Sequence, residues 1–268
     1  MQSDVIFAGS IPASYDHYLG PLLFIPYAED LAGRAATLSP KDILETAAGT
    51  GLVSAALQRT IPDARLTVTD LNQAMLDVAA GRTRGGGAVL CPADAQFLPF
   101  PDASFDLLVC QFGMMFLPDR SAGYREAARV LRPGGAFLFN VWNSLAENPI
   151  PRIITAALVK LFPEDPPNFL ARGPHGYSDV GVIKSELKVA GFAKAEIDTL
   201  VLRSRAPSAR DAAYGFCEGS PLRTEIETHH PGMLQAAAEA AEDALKEEFG
   251  TGPIDAPMSA HVVCAKLP

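Results

Sequence analysis

Positive charge is scarce in this sequence, and it is not clustered. The 22 Lys and Arg residues are outnumbered by 31 Asp and Glu residues, which gives a formal net charge of −9. Nucleic acid and anionic lipid both require a concentrated cationic surface. The composition therefore argues against both partners and favours a small-molecule ligand.

Cysteine is also sparse, and the four cysteines lack the paired spacing of zinc or redox sites. They lie far apart, mostly in apolar runs, and we interpret them as reduced core residues: Cys91, Cys110, Cys217 and Cys264. His229 and His230 are adjacent, but further metal ligands are not evident near them. We therefore expect no metal site.

Long apolar runs are missing as well, and none is long enough to span a bilayer. The stretch Met1–Asp4 lacks the basic start of a secretion signal. We expect a cytoplasmic protein without membrane insertion, either a monomer or a homodimer. With 268 residues, 48% of them hydrophobic, the chain can bury one substantial core.

Up to Trp142 the chain alternates short apolar runs with amphipathic ones, as in a parallel sheet covered by helices on both faces. The pattern predicts strands over 41–46, 65–70, 87–91, 105–112 and 134–142. It predicts helices over 51–60, 72–83 and 121–131, with Asn72 as an N-cap. We expect Pro133-Gly134-Gly135 to stop the third helix and turn into the fifth strand.

Beyond Trp142 the pattern changes. Residues 148–176 are rich in proline and suggest an insertion over the sheet, in the manner of a lid. A helix over 179–190, a strand over 193–203, two or three helices across 208–249 and a strand over 259–266 complete the prediction.

The stretch "ILETAAGTGLV" predicts a strand that runs into a glycine turn and then a helix, a geometry that aims backbone N–H groups at a ligand. Gly49 and Gly51 allow the turn and a close approach of the ligand. Asp70 ends the second strand, where a carboxylate can accept both hydroxyls of a ribose. Together they indicate an adenosine-type ligand, shared by nicotinamide dinucleotides and S-adenosylmethionine.

Three further features favour S-adenosylmethionine. Glu45 beside the loop would repel a pyrophosphate and attract the ammonium of a methionine moiety. Ser54 stands where the dinucleotide fingerprint has glycine or alanine. Asp94 follows the third strand and is placed to accept from an adenine amino group, although a turn-forming loop acid is an equal alternative.

Four motifs, "LETAAGTG", "VTDLNQAML", "ADAQFLPFPDASFDLLVCQFGMMF" and "LRPGGAF", resemble class I S-adenosylmethionine-dependent methyltransferases in order and spacing, most closely the ubiquinone and menaquinone subgroup. The resemblance covers residues 11–143 well. It implies a Rossmann-like α/β fold whose seven-stranded sheet has the order 3-2-1-4-5-7-6, with the last strand antiparallel. It also implies one methyltransferase domain with a helical cover at 1–40, a cofactor core at 41–143, an insertion at 144–178 and a C-terminal part at 179–268 that carries helices over 207–250.

The resemblance also assigns cofactor-binding candidates. The loop residues Glu45, Ala47, Gly49 and Gly51 would surround the methionine end, and Asp70 would bind the ribose. The adenine would contact Leu71, Met75, Asp94 and Ala95, and the sulfonium end would lie over Gln111 and Phe112. Ala47 replaces the usual first glycine, which we expect to be tolerated if its φ is negative. Tyr15 and Tyr18 in the N-terminal segment are further candidates, with ordinary packing as the alternative.

The residues at the end of the fourth strand bear on the acceptor. "CQFG" lacks the Asn/Asp-Pro-Pro-Tyr pattern of enzymes that methylate exocyclic amines, and the apolar "FGMMF" suits an aromatic, polyketide, terpenoid or lipid-like molecule. Packing beneath the lid is the alternative for these side chains. The pocket candidates are His17, Met115, Phe116, Trp142, Tyr214 and Phe216.

Methyl transfer is an in-line displacement that requires alignment and exclusion of water more than a base. We therefore assign no catalytic residue. The predicted function is methylation of a small-molecule acceptor with S-adenosylmethionine, which leaves S-adenosylhomocysteine. Two alternatives stay open: an NAD(P)-dependent oxidoreductase, and a protein that binds S-adenosylmethionine without catalysis.

Overall fold

The computed structural model describes residues 11–268, with side chains from Ala13 onward. Two predictions concern residues outside this range: the lack of a secretion signal at Met1–Asp4, and the first ten residues of the helical cover predicted at 1–40. The chain divides into two compact units. We call residues 27–142, 178–200 and 260–268 the sheet unit, and residues up to 26, 143–177 and 201–259 the helical unit.

Seven strands form one sheet in the order β3-β2-β1-β4-β5-β7-β6. Their bounds are β1 Asp42–Glu45, β2 Arg65–Asp70, β3 Val89–Pro92, β4 Phe105–Gln111, β5 Leu131–Trp142, β6 Lys194–Ala206 and β7 Ile254–Lys266. β1 pairs in parallel with β2 and β4, and β7 pairs antiparallel to β5. The predicted strand order and the antiparallel last strand are confirmed.

The helices of the described residues follow the strands in the alternation that the sequence predicts. Their bounds are α1 Ile11–Ser14, α2 Ile25–Thr37, α3 Leu52–Thr60, α4 Gln73–Arg82, α5 Arg120–Val130, α6 Pro149–Leu161, α7 Phe169–Arg172, α8 Val180–Val189, α9 Ala209–Glu218, α10 Leu222–His229 and α11 Leu234–Phe249. A π-helical stretch, Tyr15–Phe24, joins α1 to α2 and contains Pro21. Because proline has no N–H to donate, a wider turn is a natural way to accommodate it.

The turn predicted at Pro133-Gly134-Gly135 lies inside β5 instead of before it. Phe105 pairs with Leu131 and Leu107 with Ala136, so the register shifts where the intervening residues loop out. Gly134 has a φ of 76°, which glycine adopts without strain. The proline and the two glycines, which predicted a turn before the strand, therefore form a β-bulge within it. The strand begins at Leu131, three residues before the expected start at Gly134.

The core of the sheet unit is aliphatic and lies along the central strands. Ile43 of β1, Val68 of β2, Leu107 of β4 and Leu138 of β5 are each almost fully buried in it. Strands buried in this way read as continuous apolar runs, which explains why the sequence predicts them well. This rigid core holds the carboxyl ends of β1, β2 and β4, from which the candidate site is built.

Candidate cofactor site

The glycine loop connects β1 to α3 and lies against α4. Gly51 precedes α3 with a φ of 81°, and a Cβ added to it would come within 2.8 Å of the Cβ and 2.9 Å of the Cα of Ala79. Arg82 of α4 donates to the Thr50 carbonyl at 3.0 Å. Glycine is thus required at position 51 by both backbone conformation and close packing.

Ala47 has a φ of 51°, so the condition under which we expected its methyl group to be tolerated, a negative φ, is not met. The loop needs a left-handed residue directly after β1, and an alanine there carries the steric cost that a glycine would avoid. Gly113 on the facing loop makes room for it, since a Cβ at Gly113 would lie 2.5 Å from the Ala47 Cβ. The absence of a side chain at position 113 therefore compensates for the methyl group at position 47.

Glu45 ends β1 with a side chain that is only 1% exposed. The Ser54 hydroxyl donates to its Oε2 at 2.5 Å. Burial raises the pKa of Glu45 to about 8, and the nearby Asp70 adds to the rise. The fixed negative charge inferred from the sequence is therefore conditional: Glu45 is ionised at neutral pH only when a cation lies beside it.

Asp70 connects the two loops that would hold an adenosine. Its Oδ2 accepts from the Gly49 N–H at 2.8 Å, and its Oδ1 accepts from the Asn72 N–H at 2.8 Å. Burial raises the pKa of this carboxyl. Asn72 does occupy the N-cap position of α4, but its side chain makes no capping bond and lies 3.4 Å from Asp70 Oδ1 instead.

The adenine candidates lie around the ends of β2 and β3. Leu71 follows Asp70 and is exposed, whereas Met75 on α4 is buried. The Ala93 N–H donates to the Asp70 carbonyl at 3.0 Å, which ties the segment of Asp94 and Ala95 to the end of β2. The carboxylates Glu45, Asp70 and Asp94 thus follow three neighbouring strands at one edge of the sheet.

An aromatic cluster supports the end of β4. Phe112, with a φ of 50°, stacks on Trp142 at a centroid distance of 3.9 Å, and Tyr27 meets both rings edge-on at 5.3 and 5.5 Å. The Phe112 N–H donates to Asn140 Oδ1 at 2.9 Å. Tyr27 and Asn140 were not predicted from the sequence, because neither belongs to a motif.

The other sheet-unit candidates are mostly buried. Gln111 ends β4, and Met115 and Phe116 belong to the short 3-10 helix Met114–Phe116 that follows it. Met115 and Trp142 are 7% and 5% exposed. Their predicted place in an acceptor pocket stays a prediction.

The remaining candidates lie in the helical unit. Tyr15 stacks on Phe24 at 4.7 Å, and His17 meets Tyr18 edge-on at 4.6 Å. Arg210 lies over the Tyr214 ring at 4.7 Å, and Phe216 is buried. These contacts fit packing as well as ligand binding.

His175, which is buried in the helical unit, was not predicted from the sequence. Its Nδ1 lies 2.8 Å from the Asn143 carbonyl, and burial lowers its pKa to about 4. The same Asn143 donates from Nδ2 to Ser259 Oγ at 3.1 Å. The imidazole is therefore neutral near pH 7, with the Nδ1 proton directed at a backbone carbonyl.

No group of three or more His, Cys, Asp or Glu side chains within residues 11–268 is arranged to hold a metal ion. All four cysteines are free thiols, and burial raises the pKa of Cys110 to about 11 and that of Cys217 to about 12. No helix in this part of the chain is long and apolar enough to cross a membrane.

Two observations fit the site to S-adenosylmethionine. Glu45 is buried, and no ion pair within residues 11–268 supplies it with a cation. The ammonium of a methionine moiety beside Glu45 would stabilise the ionised form of its carboxyl group. The Thr50 hydroxyl in the glycine loop is buried, and no hydrogen-bond partner for it exists in the described part of the chain. A ligand with an ammonium and further polar groups would satisfy both.

Comparison with known proteins agrees with this geometry. Residues 44–139 match the family model described as a methyltransferase domain. The chain is 31% identical to the demethylmenaquinone methyltransferase of Clavibacter sepedonicus over 197 residues. This alignment covers 66% of this chain and 78% of that protein. It is 36% identical to the malonyl-[acyl-carrier protein] O-methyltransferase of Hahella chejuensis over 99 residues. That alignment covers 37% of this chain and 36% of that protein.

The crystal structure of the YcgJ protein of Bacillus subtilis has the same fold, with a TM-score of 0.59 at 19% identity over 90% of this chain and 98% of that one. The chain spans just over a third of the length of the Hahella relative, and more than two thirds of the Clavibacter relative. These findings give no support to a nicotinamide oxidoreductase. The chain belongs to the family of S-adenosylmethionine-dependent methyltransferases.

Proposed function

We propose that this chain transfers a methyl group from S-adenosylmethionine to a small, uncharged or weakly charged acceptor with aromatic or lipid-like character. The observation that carries the proposal is the hydrogen bond from Gly49 to Asp70, which joins the glycine loop of β1 to the carboxylate at the end of β2. That bond holds a ribose acceptor beside a loop that approaches a ligand closely. The names of the two relatives support the reaction class.

Three carboxylates of the sheet unit would bind different parts of the cofactor. Glu45 would pair with the ammonium, Asp70 would accept from the ribose hydroxyls, and Asp94 would accept from the adenine amino group. S-adenosylmethionine supplies an electrophilic methyl group on a sulfonium cation. The chain's contribution is to align the acceptor atom with that group and to exclude water from it.

The acceptor class follows from the side chains at the end of β4. Met115, Phe116 and Phe112 are apolar, and the ring of Trp142 stacks on Phe112. Apolar walls of this kind bind aromatic or lipid-like molecules, with a few polar groups to fix their orientation. The expected site of methylation is an oxygen, carbon or nitrogen atom of the acceptor.

The test is an incubation of the purified chain with S-adenosylmethionine and a panel of phenols, hydroquinones, polyketides and fatty acids, analysed by mass spectrometry. We expect one or more acceptors to gain a methyl group in step with S-adenosylhomocysteine formation. Asp70→Ala should abolish or strongly reduce this product, whereas Asp77→Ala, which removes an exposed carboxylate of α4, should not. Product formation at the same rate in Asp70→Ala would refute the site assignment.

A further inference from the structure

The segment after β3 forms a tight turn around Asp94. The Phe97 N–H donates to the Asp94 carbonyl at 2.9 Å, and the Gln96 N–H donates to the Asp94 carboxylate at Oδ1 over 2.8 Å. An aspartate that accepts from the backbone two residues later stabilises such a turn. The main chain alone therefore fixes one oxygen of the carboxylate.

The side chain of Gln96 adds a second, separate constraint. Its Nε2 lies 3.0 Å from Oδ1 and 3.2 Å from Oδ2 of Asp94, while its Oε1 accepts from the Asp119 N–H at 2.9 Å. Asp119 is the N-cap of α5 and accepts from Ala122 at 3.0 Å. Because a primary amide both donates and accepts, Gln96 links the carboxylate to the start of a helix.

These bonds leave the two oxygens of Asp94 unequal. Oδ1 accepts two hydrogen bonds at 2.8 and 3.0 Å, whereas Oδ2 accepts one longer bond at 3.2 Å. A carboxylate oxygen has about two acceptor positions, so Oδ2 keeps the greater capacity for another donor. Both donors of Gln96 are neutral amides, which orient the carboxylate without neutralising its charge.

We infer that Gln96 is a positioning residue that aims Oδ2 of Asp94 at the exocyclic amino group of adenine, so that the preference for an adenosine cofactor depends on Gln96. The inference rests on the proposed function and adds the residue that sets the purine specificity of the site. An amino group at purine C6 donates to the carboxylate, whereas a C6 carbonyl places two acceptors against each other.

Gln96→Glu separates this role from a purely structural one. Glutamate keeps an oxygen that can accept from the Asp119 N–H, but it cannot donate to Asp94 and it places a second negative charge beside it. A structural link to α5 would survive this change, whereas the orientation of Asp94 would not.

Glu126→Gln is the matched control. Glu126 of α5 accepts from the Leu98 N–H at 2.7 Å and pairs with Arg129, so it anchors the same segment without contacting Asp94. We expect this variant to lower the unfolding temperature and to leave the purine preference unchanged.

The experiment measures the affinity of the full chain for S-adenosylhomocysteine and for its 6-oxo analogue, S-inosylhomocysteine, by calorimetry, with unfolding temperatures recorded for each variant. We expect the wild type to prefer the adenosine ligand by about tenfold or more, the usual effect of one hydrogen bond to a charged group. Gln96→Glu and Asp94→Asn should each lose most of that preference, while Glu126→Gln retains it.

Three results would overturn the inference, and they are distinguishable. A Gln96→Glu variant with the full wild-type preference would show that Gln96 only anchors the loop. Equal affinity of the wild type for both ligands would remove adenine recognition from Asp94 but leave methyl transfer intact. If the wild type binds neither ligand, the proposed function itself fails, and the inference fails with it.

Discussion

Binding of S-adenosylhomocysteine should release a proton from Glu45. In the structure this carboxyl is 1% exposed, bonded to the Ser54 hydroxyl and close to Asp70, and its pKa is raised to about 8, chiefly by burial. At pH 6.5 the free chain therefore carries Glu45 in its protonated form. An ammonium placed beside the carboxylate favours the charged form and lowers its pKa, so the proton leaves as the ligand binds.

The size of the effect follows from linkage. Between the pKa of Glu45 in the complex and its pKa of about 8 in the free chain, loss of one proton on binding makes the affinity rise about tenfold for each unit of increasing pH. The affinity should thus rise between pH 6 and 7 and level off near 8. Since burial raises the pKa of Glu45 above 4.5 in the folded chain, the unliganded chain should also lose stability as the pH rises from 4.5 to about 8.

Calorimetry in buffers of different ionisation enthalpy counts the protons released. The pKa of Asp70 is also raised by burial, and buried Cys110 lies close enough to feel the charge of Glu45, so the proton must be assigned by a variant. Glu45→Gln should release about one proton fewer than the wild type at pH 6.5 and bind less tightly at pH 8. If the wild type releases no proton and its affinity is the same at pH 6 and pH 7, the pairing of Glu45 with the ammonium is wrong.

Three further substitutions test the loops around the site. Asp70→Ala should weaken binding of S-adenosylhomocysteine by about 1–3 kcal/mol in calorimetry, the loss expected for a buried polar partner; unchanged affinity in a folded variant would contradict the ribose assignment. Gly51→Ala should lower the free energy of unfolding by about 2–4 kcal/mol in urea titrations, because it adds a strained φ to a collision with Ala79. Ala47→Gly should raise that free energy by about 0.5–1 kcal/mol, since it relieves a φ of 51°, and a loss of stability would show that the methyl contact at Gly113 outweighs the strain.

Strand positions were predictable because the central strands are buried on both faces. Ile43, Leu107 and Leu138 belong to continuous apolar runs bounded by turn residues, a local pattern that needs no knowledge of the fold. The start of β5 was less accurate, because a proline and two glycines indicate a turn whether they lie before a strand or in a bulge within it. The strand order came from the resemblance to a family, not from these patterns.

The residues that lie together at the candidate site were predictable where each belongs to a recognisable motif. Glu45 and Gly51 are close in sequence, and Asp70 ends a recognisable strand. Asn140 and Tyr27 reach Phe112 through pairings of distant segments, which no local spacing records.

The ionisation of Glu45 was equally hidden, because a charge assigned from residue type ignores burial. Its pKa depends on desolvation within the folded loop and on Asp70 from another strand. The space for the Ala47 methyl group was hidden as well, because it depends on the absence of a side chain at Gly113, a residue of a distant loop.

The most direct test of the account is equilibrium binding of the full chain to S-adenosylhomocysteine, NAD(H) and NADP(H) in parallel calorimetric titrations. We expect saturable binding of S-adenosylhomocysteine that is weakened by Asp70→Ala but not by Asp77→Ala, and no saturable binding of either dinucleotide. Saturable binding of a nicotinamide dinucleotide without binding of S-adenosylhomocysteine would contradict it.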